Sequence, residues 1–479
     1  MQQDTQHASP YLKWVIFALV FLSTFLWLGK KGIFAWDEAR YGENAYWMLQ
    51  TGDYVHYSFA GAPDQWNAKP PLANWLISLN YRWLGCNTWA LRLHSALAVL
   101  IFFVLYYRWI RRYQGEIFAL ASVAVLLCVK GIIGHHVGRT GDTDGLLLAC
   151  LMGYLYALSS WLDFGERKAL LWGALSLGLA FYSKGTTLIF YLPGTFLYLL
   201  IRRKLRKILR EPYFWLAAAL LLSIIASWIL LVEINTPAGE YRSWHTLLFY
   251  DTVARFTQTG VEGAATSWNV GFVFEALDIK FNLWNYLLYL SLLLGGLSVL
   301  RSSEPKSQWW QSPNNRLYIL SLCMAVPLAI LLTVSKSKLV WYIAPILPFA
   351  AIGVADLFFR SLRWQKQLIW LWGMLALFTF GRQAWQRYQV PDSNSQFVQE
   401  HREALKGSQR IYLYREGDQE MRLYADWYAE EVVKLEQVDA WPGDGILLGT
   451  VNPTEREALK QKISFTADCK ADFCIVKSR

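Results

Sequence analysis

The chain reads as mainly α: a polytopic membrane helix bundle of about 11 spans, with interfacial helices on its outer face and a small C-terminal α/β soluble domain. Three observations predict this class. Hydrophobic residues make up 54% of the 479 and charged residues only 17%, short of the roughly 25% charge of an ordinary soluble domain. Apolar stretches of roughly 16–25 residues recur, the length that crosses a hydrocarbon core. Charge is also split: residues up to 382 hold 33 basic and 20 acidic side chains, and residues from 383 hold 13 and 16. A basic apolar body (1–382) thus precedes a small acidic domain (383–479). A nucleic-acid binder would share the positive charge but not the long apolar runs, so no nucleic-acid partner is expected.

The runs fall at about 11–28, 90–107, 117–134, 145–162, 169–183, 186–201, 213–232, 284–300, 317–334, 340–359 and 367–382. No small-residue cleavage site follows the first, so it is a span rather than a removable signal. With the N-terminus in the cytoplasm, the inner loops become RWIRRYQGE, DFGERK, IRRKLRKILR, RSSEPKSQWWQSPNNR and RSLRWQK. All are basic, as positive-inside topology requires. Only SKGT separates the fifth and sixth runs, and the alternation of basic loops argues for keeping both. An odd span number places the C-terminal domain outside.

Several cations then stand on the wrong side: Arg40, Lys69, Arg139, Lys184, Arg255, Lys336 and Lys338. A single loop Lys is ordinarily just solvated. Lys184 and Lys338, however, sit where two apolar runs nearly touch, a costly place unless a cavity or partner receives the charge. Cations converging on one membrane face predict an anionic substrate there, with a lipid phosphate the obvious candidate.

The first outer loop opens with WDEARYGENAYWMLQTGDY. Asp37 lies three residues from Arg40 and four from Tyr41, so a helix would put all three on one face; Glu38 and Glu43 are close by. Alone, this pattern is equally a capping acid with a surface ion pair. The loop ends in WNAKPPLANWLISLNYRWLG, where two prolines fix the backbone after Lys69 and an amphipathic helix follows. Farther on, RTGDTDGLL places Asp142 and Asp144 at the start of a span. Asp144 is read as a helix cap that also presents an acid to the cavity of Asp37. His135 and His136 precede it, and a structural role is preferred for the pair over metal binding. The tail alternates strand-like RIYLY, EVVKLE, GILLGT and FCIVK with a polar helix at PTEREALKQK. Cys469 and Cys474 lie within it, as a disulfide or as two free thiols.

Taken together, DEARYGE after the first span, KPP closing that loop, an acid opening a later span, and then SKG resemble the GT-C-type membrane glycosyltransferases. The pattern is most similar to that of the bacterial 4-amino-4-deoxy-L-arabinose lipid A transferases and the related protein O-mannosyltransferases. WHTLLFYDTVARF (244–256) and SKSKLVWYI (335–343) extend the resemblance. It implies an enzyme of the bacterial inner membrane that takes a sugar from a polyprenyl-phosphate carrier and passes it to lipid A, another glycolipid, a glycan or a protein. It implies Asp37 as leading catalytic acid/base with Glu38 beside it, and Asp144 as a second acid. Arg40, Lys69 and Arg255 would bind the carrier phosphate, while Lys184 and Tyr342 line the cavity; Tyr41 and Lys338 join them from the spacing arguments above. One departure is Ala68 where the lipid A transferases usually carry Glu before Lys-Pro. That Glu is associated with a metal position, so no metal or other cofactor is expected. The rival from another class is a transporter or flippase of a lipid-linked anion, which should show broken helices in matching halves and a midplane site.

Overall fold

A computed structural model describes residues 10–254, 257–258, 269, 271–301, 309–310, 312–364, 368–415 and 419–478. The first seven helices are α1 (Pro10–Phe25), α2 (Asp37–Thr51), α3 (Leu72–Leu84), α4 (Thr88–Gln114), α5 (Glu116–Leu127), α6 (Asp144–Phe164) and α7 (Ala169–Lys184). Among the described residues, six helical runs are long and apolar enough to cross a membrane: Thr88–Gln114, Asp144–Phe164, Ala169–Ile201, Pro212–Asn235, Arg316–Val334 and Val340–Leu362. Tyr11–Phe25 and Glu116–Leu127 are shorter apolar helices. The chain is a multi-pass membrane protein.

Residues 169–183 and 186–201, read as separate spans, form one continuous helical run, Ala169–Ile201. The reason lies at Gly185, which turns with φ +62° and leads α7 into a 3-10 segment, Gly185–Tyr191, instead of a loop. A side chain there would also strike Leu247, whose Cδ1 lies 2.5 Å from the position a Cβ would take.

Local chemistry sets the helix ends. Asn87 caps α4 by accepting from the Ala90 amide, and Arg111 and Arg112 complement the dipole at its last turn. α4, α6 and α7 enclose a core in which Phe102, Phe103, Tyr106, Trp109, Leu151 and Leu155 are all buried. Helix Pro212–Asn235 instead turns Leu222, Leu230 and Ile234 outward, at 57–80% exposure. Such a surface is costly in water and suited to lipid, where the helix satisfies its own backbone.

After the short hairpin of β1 (Ser58–Phe59) and β2 (Ala62–Pro63), the C-terminal residues build a five-stranded sheet of order β4-β3-β5-β7-β6, from β3 (Ser408–Tyr414), β4 (Ala429–Leu435), β5 (Ile446–Thr450), β6 (Phe465–Lys470) and β7 (Phe473–Ser478). β3 runs parallel to both neighbours, and the rest is antiparallel. Cys469 and Cys474 face each other across the β6–β7 hairpin and are bonded. Helix Gln419–Tyr428 lies between β3 and β4 in the chain, and Met421, Leu423 and Tyr424 on it share a buried cluster with Ala39, Tyr41 and Ala45 of α2. The sheet therefore braces the helix that begins with Asp37.

Candidate active site

Four stretches bring their functional side chains to one end of the bundle: the start of α2, the Lys69-Pro70-Pro71 entry to α3, the loop before α6, and the end of α7. Asp37, His136 and Asp142 offer ligand atoms within 4.8 Å of one another. Trp36, next to Asp37, and His136 itself take φ +68° and +69° without being glycine. Backbone strain of about 1–3 kcal/mol each is kept only where the surroundings impose it.

Asp37 is half-buried, and no hydrogen bond to its carboxylate comes from the described residues. Burial, and next the Asp142 charge, raise its pKa, against the pull of Lys69 and Lys184. Asp142 goes the other way: although burial acts to raise it, His136 and the Thr140 hydroxyl hold it low. Environments that push two adjacent carboxyls apart are how acid and base roles are divided. His136 is stacked between His135 (centroids 3.8 Å) and Trp341 (3.6 Å), with Nδ1 3.3 Å from Asp142 Oδ2. The motif favours Asp144 as the second acid; the fold brings Asp142 to Asp37 instead. An N/O set of this kind fits a divalent cation, so the Asp–His–Asp cluster offers ligands that the loss of Glu at position 68 does not remove.

Glu38 requires a correction. It is 1% exposed, and Arg92 grips both its oxygens at 2.7 and 2.8 Å. The Phe34 and Gly141 amides fill the remaining acceptor sites at 2.9 and 2.8 Å. A carboxylate so satisfied ties together the loops around it. Arg40 is corrected for the same reason: its guanidinium forks onto buried Asp64 at 2.6 and 2.9 Å and is stacked near Phe59 and Trp66. That leaves little of its charge for a phosphate.

Lys69 is placed differently. It lies between the rings of Tyr41 (5.8 Å) and Trp66 (5.1 Å) with no ion-pair partner among the described residues, and the Tyr57 hydroxyl anchors its carbonyl at 2.7 Å. Tyr41 is buried at its side. Lys184 pairs with Asp144 at 2.5 Å, both largely buried, and sits 5.1 Å from the Tyr342 ring. Asp144, Lys184 and Tyr342 line a cavity of about 70 Å³ walled by Leu147, Phe190 and Leu331. Lys338 is not on that wall; its ammonium donates to the Ser335 carbonyl at 2.5 Å. Arg255 lies outside the described residues. Sequence reasoning missed Asp142 and His136 as partners of Asp37, although DTD and HH both stood in the motif.

Residues 68–230 match the family described as dolichyl-phosphate-mannose-protein mannosyltransferase. The undecaprenyl phosphate-alpha-4-amino-4-deoxy-L-arabinose arabinosyl transferase of Pseudomonas savastanoi pv. phaseolicola is 26% identical over 350 residues, 71% of this chain and 60% of its own length. Its counterpart from Pseudomonas aeruginosa is 28% identical over 332 residues, 68% and 56%. The chain thus matches less than two thirds of the length of these curated relatives. Among solved structures, ArnT from Cupriavidus metallidurans bound to undecaprenyl phosphate superposes with a TM-score of 0.70 at 15% identity, covering 98% of each chain. At that identity the likeness establishes the fold. By sequence over about two thirds of its residues and by fold over nearly all of them, the chain resembles the GT-C-type glycosyltransferases to which ArnT belongs.

Proposed function

We propose that this protein is an integral-membrane glycosyltransferase that moves a sugar from a polyprenyl-phosphate carrier to lipid A or another lipopolysaccharide or surface-glycan acceptor. The carrying observation is the contrast at one site: a carboxylate, Asp37, free of hydrogen bonds from the described residues, near an ammonium, Lys69, that makes no ion pair among them. The names of the relatives, which include undecaprenyl phosphate and aminoarabinose, agree with it.

In the reaction the acceptor oxygen attacks the anomeric carbon while the carrier phosphate leaves with its bonding electron pair. Lys69 faces the growing negative charge, and fixed stabilisation of this kind commonly does more for the rate than any other single effect in such sites. Asp37 accepts the acceptor's proton, for about 10²–10⁴-fold in rate, or orients the sugar where the acceptor oxygen carries no proton. Asp142 and His136 stand beside Asp37 and set the charge around it, and Lys184 with Asp144 and Tyr342 shapes the carrier's cavity. Asp37, His136 and Asp142 are also the residues that would hold a divalent cation, which would supply further positive charge. One displacement inverts the anomeric carbon; retention in the product would sink the single-step mechanism.

The finer topology belongs to the same reading: about 11 spans, a cytoplasmic N-terminus, a catalytic membrane domain at 1–382 and a periplasmic domain at 383–479, all in the inner membrane. Asp37→Asn is the direct test. In membranes supplied with a polyprenyl-phosphate sugar it should abolish transfer at unchanged expression, and full activity would remove Asp37 from the mechanism. Sugar passing across the bilayer without transfer would favour the flippase, and labelled protein in place of labelled glycolipid would favour O-glycosylation of protein.

A further inference from the structure

A second cavity, of about 280 Å³, opens beside the Asp37 cluster between the segment after α1, the loop before α6 and the end of helix Leu368–Tyr388. Lys31, Lys130, Arg139, Lys280 and Arg387 line it, and no carboxylate of the described residues does. Arg92 is also on the wall, but Glu38 neutralises it.

None of the five has an acidic partner among the described residues. Arg387 is 7% exposed, and all three of its guanidinium nitrogens lack a hydrogen-bond partner there. Arg139, 9% exposed, donates only to the carbonyls of Ser23, Thr24 and Leu26. Lys31 donates to the Gln386 carbonyl. Burial, together with repulsion from Arg139, Arg92 and Arg387, pushes the Lys31 ammonium down to about 8. Cations held together without counter-charge oppose folding, yet the fold draws them from four separate segments. A structural role is a poor account of that cost; a bound anion is a good one.

The cavity is also placed for the reaction. His135 is on its wall and packs, tilted, against His136, which lies beside Asp142 and Asp37. Phe34 packs on the other side of His135 with ring centroids 4.2 Å apart. One ring stack therefore separates the cationic chamber from the proposed reacting carboxylate.

We propose that this chamber binds a phosphate monoester group and thereby selects a phosphate-bearing acceptor, with the five cations serving the acceptor while Lys69 serves the donor. This assignment rests on the glycosyltransferase reading for its role but not for its existence. Guanidinium forks match phosphate oxygens two at a time, and ammonium groups supply the remaining point charge. A neutral sugar or protein hydroxyl would leave the chamber's charge uncompensated.

Full-length protein in phosphatidylcholine nanodiscs tests it by thermal unfolding. Doping the discs with phosphatidic acid, a monoester lipid, should raise the melting temperature, and a diester lipid at equal charge should raise it less. Inorganic phosphate added in solution distinguishes a free anion from a lipid headgroup: stabilisation by inorganic phosphate alone would overturn the acceptor role. Arg387→Gln should melt higher than the wild type in undoped discs, because repulsion is relieved, and should bind phosphatidic acid about tenfold more weakly. Lys280→Gln, on a less buried side chain, should weaken binding in the same direction.

No response of the wild type to either probe, or a full response in Arg387→Gln, would overturn the proposal. Binding of polyprenyl phosphate should be unchanged in Arg387→Gln; its loss there would make the chamber part of the donor site and would overturn it too. Asp37→Asn protein should keep the phosphatidic acid shift, so that failure of the enzymatic reading and failure of the chamber give different results.

Discussion

Two groups of cations share one end of the bundle and differ in their company. Around α2, α3 and α7, Arg92, Arg40 and Lys184 hold Glu38, Asp64 and Asp144 at 2.7, 2.6 and 2.5 Å. In the neighbouring chamber, Lys31, Lys130, Arg139, Lys280 and Arg387 hold no acid among the described residues. The first group has its charge committed to architecture. A buried ion pair offsets its desolvation only through its partner, so its members have little left for a ligand. The second group keeps its charge uncommitted, as does Lys69. Burial alone does not separate the groups, because Arg92 at 1% and Arg387 at 7% exposure are both inside. Pairing does.

The largest expected effect breaks the first group. Glu38→Gln leaves Arg92 charged and buried without its counter-ion, at a cost of about 3–5 kcal/mol. Melting temperature and folded yield in detergent should both fall sharply. Asp37→Asn, one residue away, should leave melting temperature unchanged while transfer is lost. Equal destabilisation by the two would erase the distinction between a positioning and a reacting carboxylate.

A smaller effect sharpens the comparison at the donor cation. Lys69→Ala should weaken the apparent affinity for the polyprenyl-phosphate donor by about tenfold, or ~1.4 kcal/mol, with little change in stability. Arg40→Ala should do the reverse, because it strands buried Asp64, at about 1–3 kcal/mol of stability. A donor-affinity loss in Arg40→Ala as large as in Lys69→Ala would return Arg40 to the phosphate site.

The fold class was legible because membrane spans announce themselves by length and apolarity, and the tail strands by alternation. Gly185 shows the limit: SKGT reads as a loop, and only its φ and the Leu247 contact reveal a helical run continuing through it. At the site, the motifs single out Asp37 and Lys69 by their neighbours in the chain. Glu38 and Arg40 were misjudged because their partners lie 54 and 24 residues away, and a local motif is silent about distant counter-charges. Asp142 and Asp144 are two positions apart at a helix start, so nothing local decides which acid faces Asp37. Of the chamber, Arg139 alone stood out as a cation on the wrong side. The other four become neighbours only when helix Leu368–Tyr388 returns Arg387 to the loops near α1 and α6.

The smallest effect concerns two acids, where α2 meets the C-terminal helix Gln419–Tyr428. Glu43 is fully buried and accepts from Trp47 and the Ala60 amide through Oε1, while its buried Oε2 has no hydrogen-bond donor. Nearby Asp426 is held by the Arg422 fork at 2.7 and 2.9 Å, which keeps its charge balanced. Burial, and next Asp426, raise the Glu43 pKa well above its ordinary value of 4.5. The folded state therefore favours protonated Glu43 over a second anion beside Asp426. The sign follows from linkage: the unfolded chain loses that proton at a lower pH than the folded one, so stability is full below about 4.5 and is lost as pH climbs toward the raised folded value. Glu43→Gln retains the acceptor and donor and removes the titration. Melting temperature followed from pH 5 to pH 9, a range of roughly four units above the carboxylate reference, should fall in the wild type and stay flatter in the variant. Parallel curves would mean that Glu43 is ionised at this junction and that Arg422, 4.0 Å from its Oε1, balances it, which would make it one more member of the paired group.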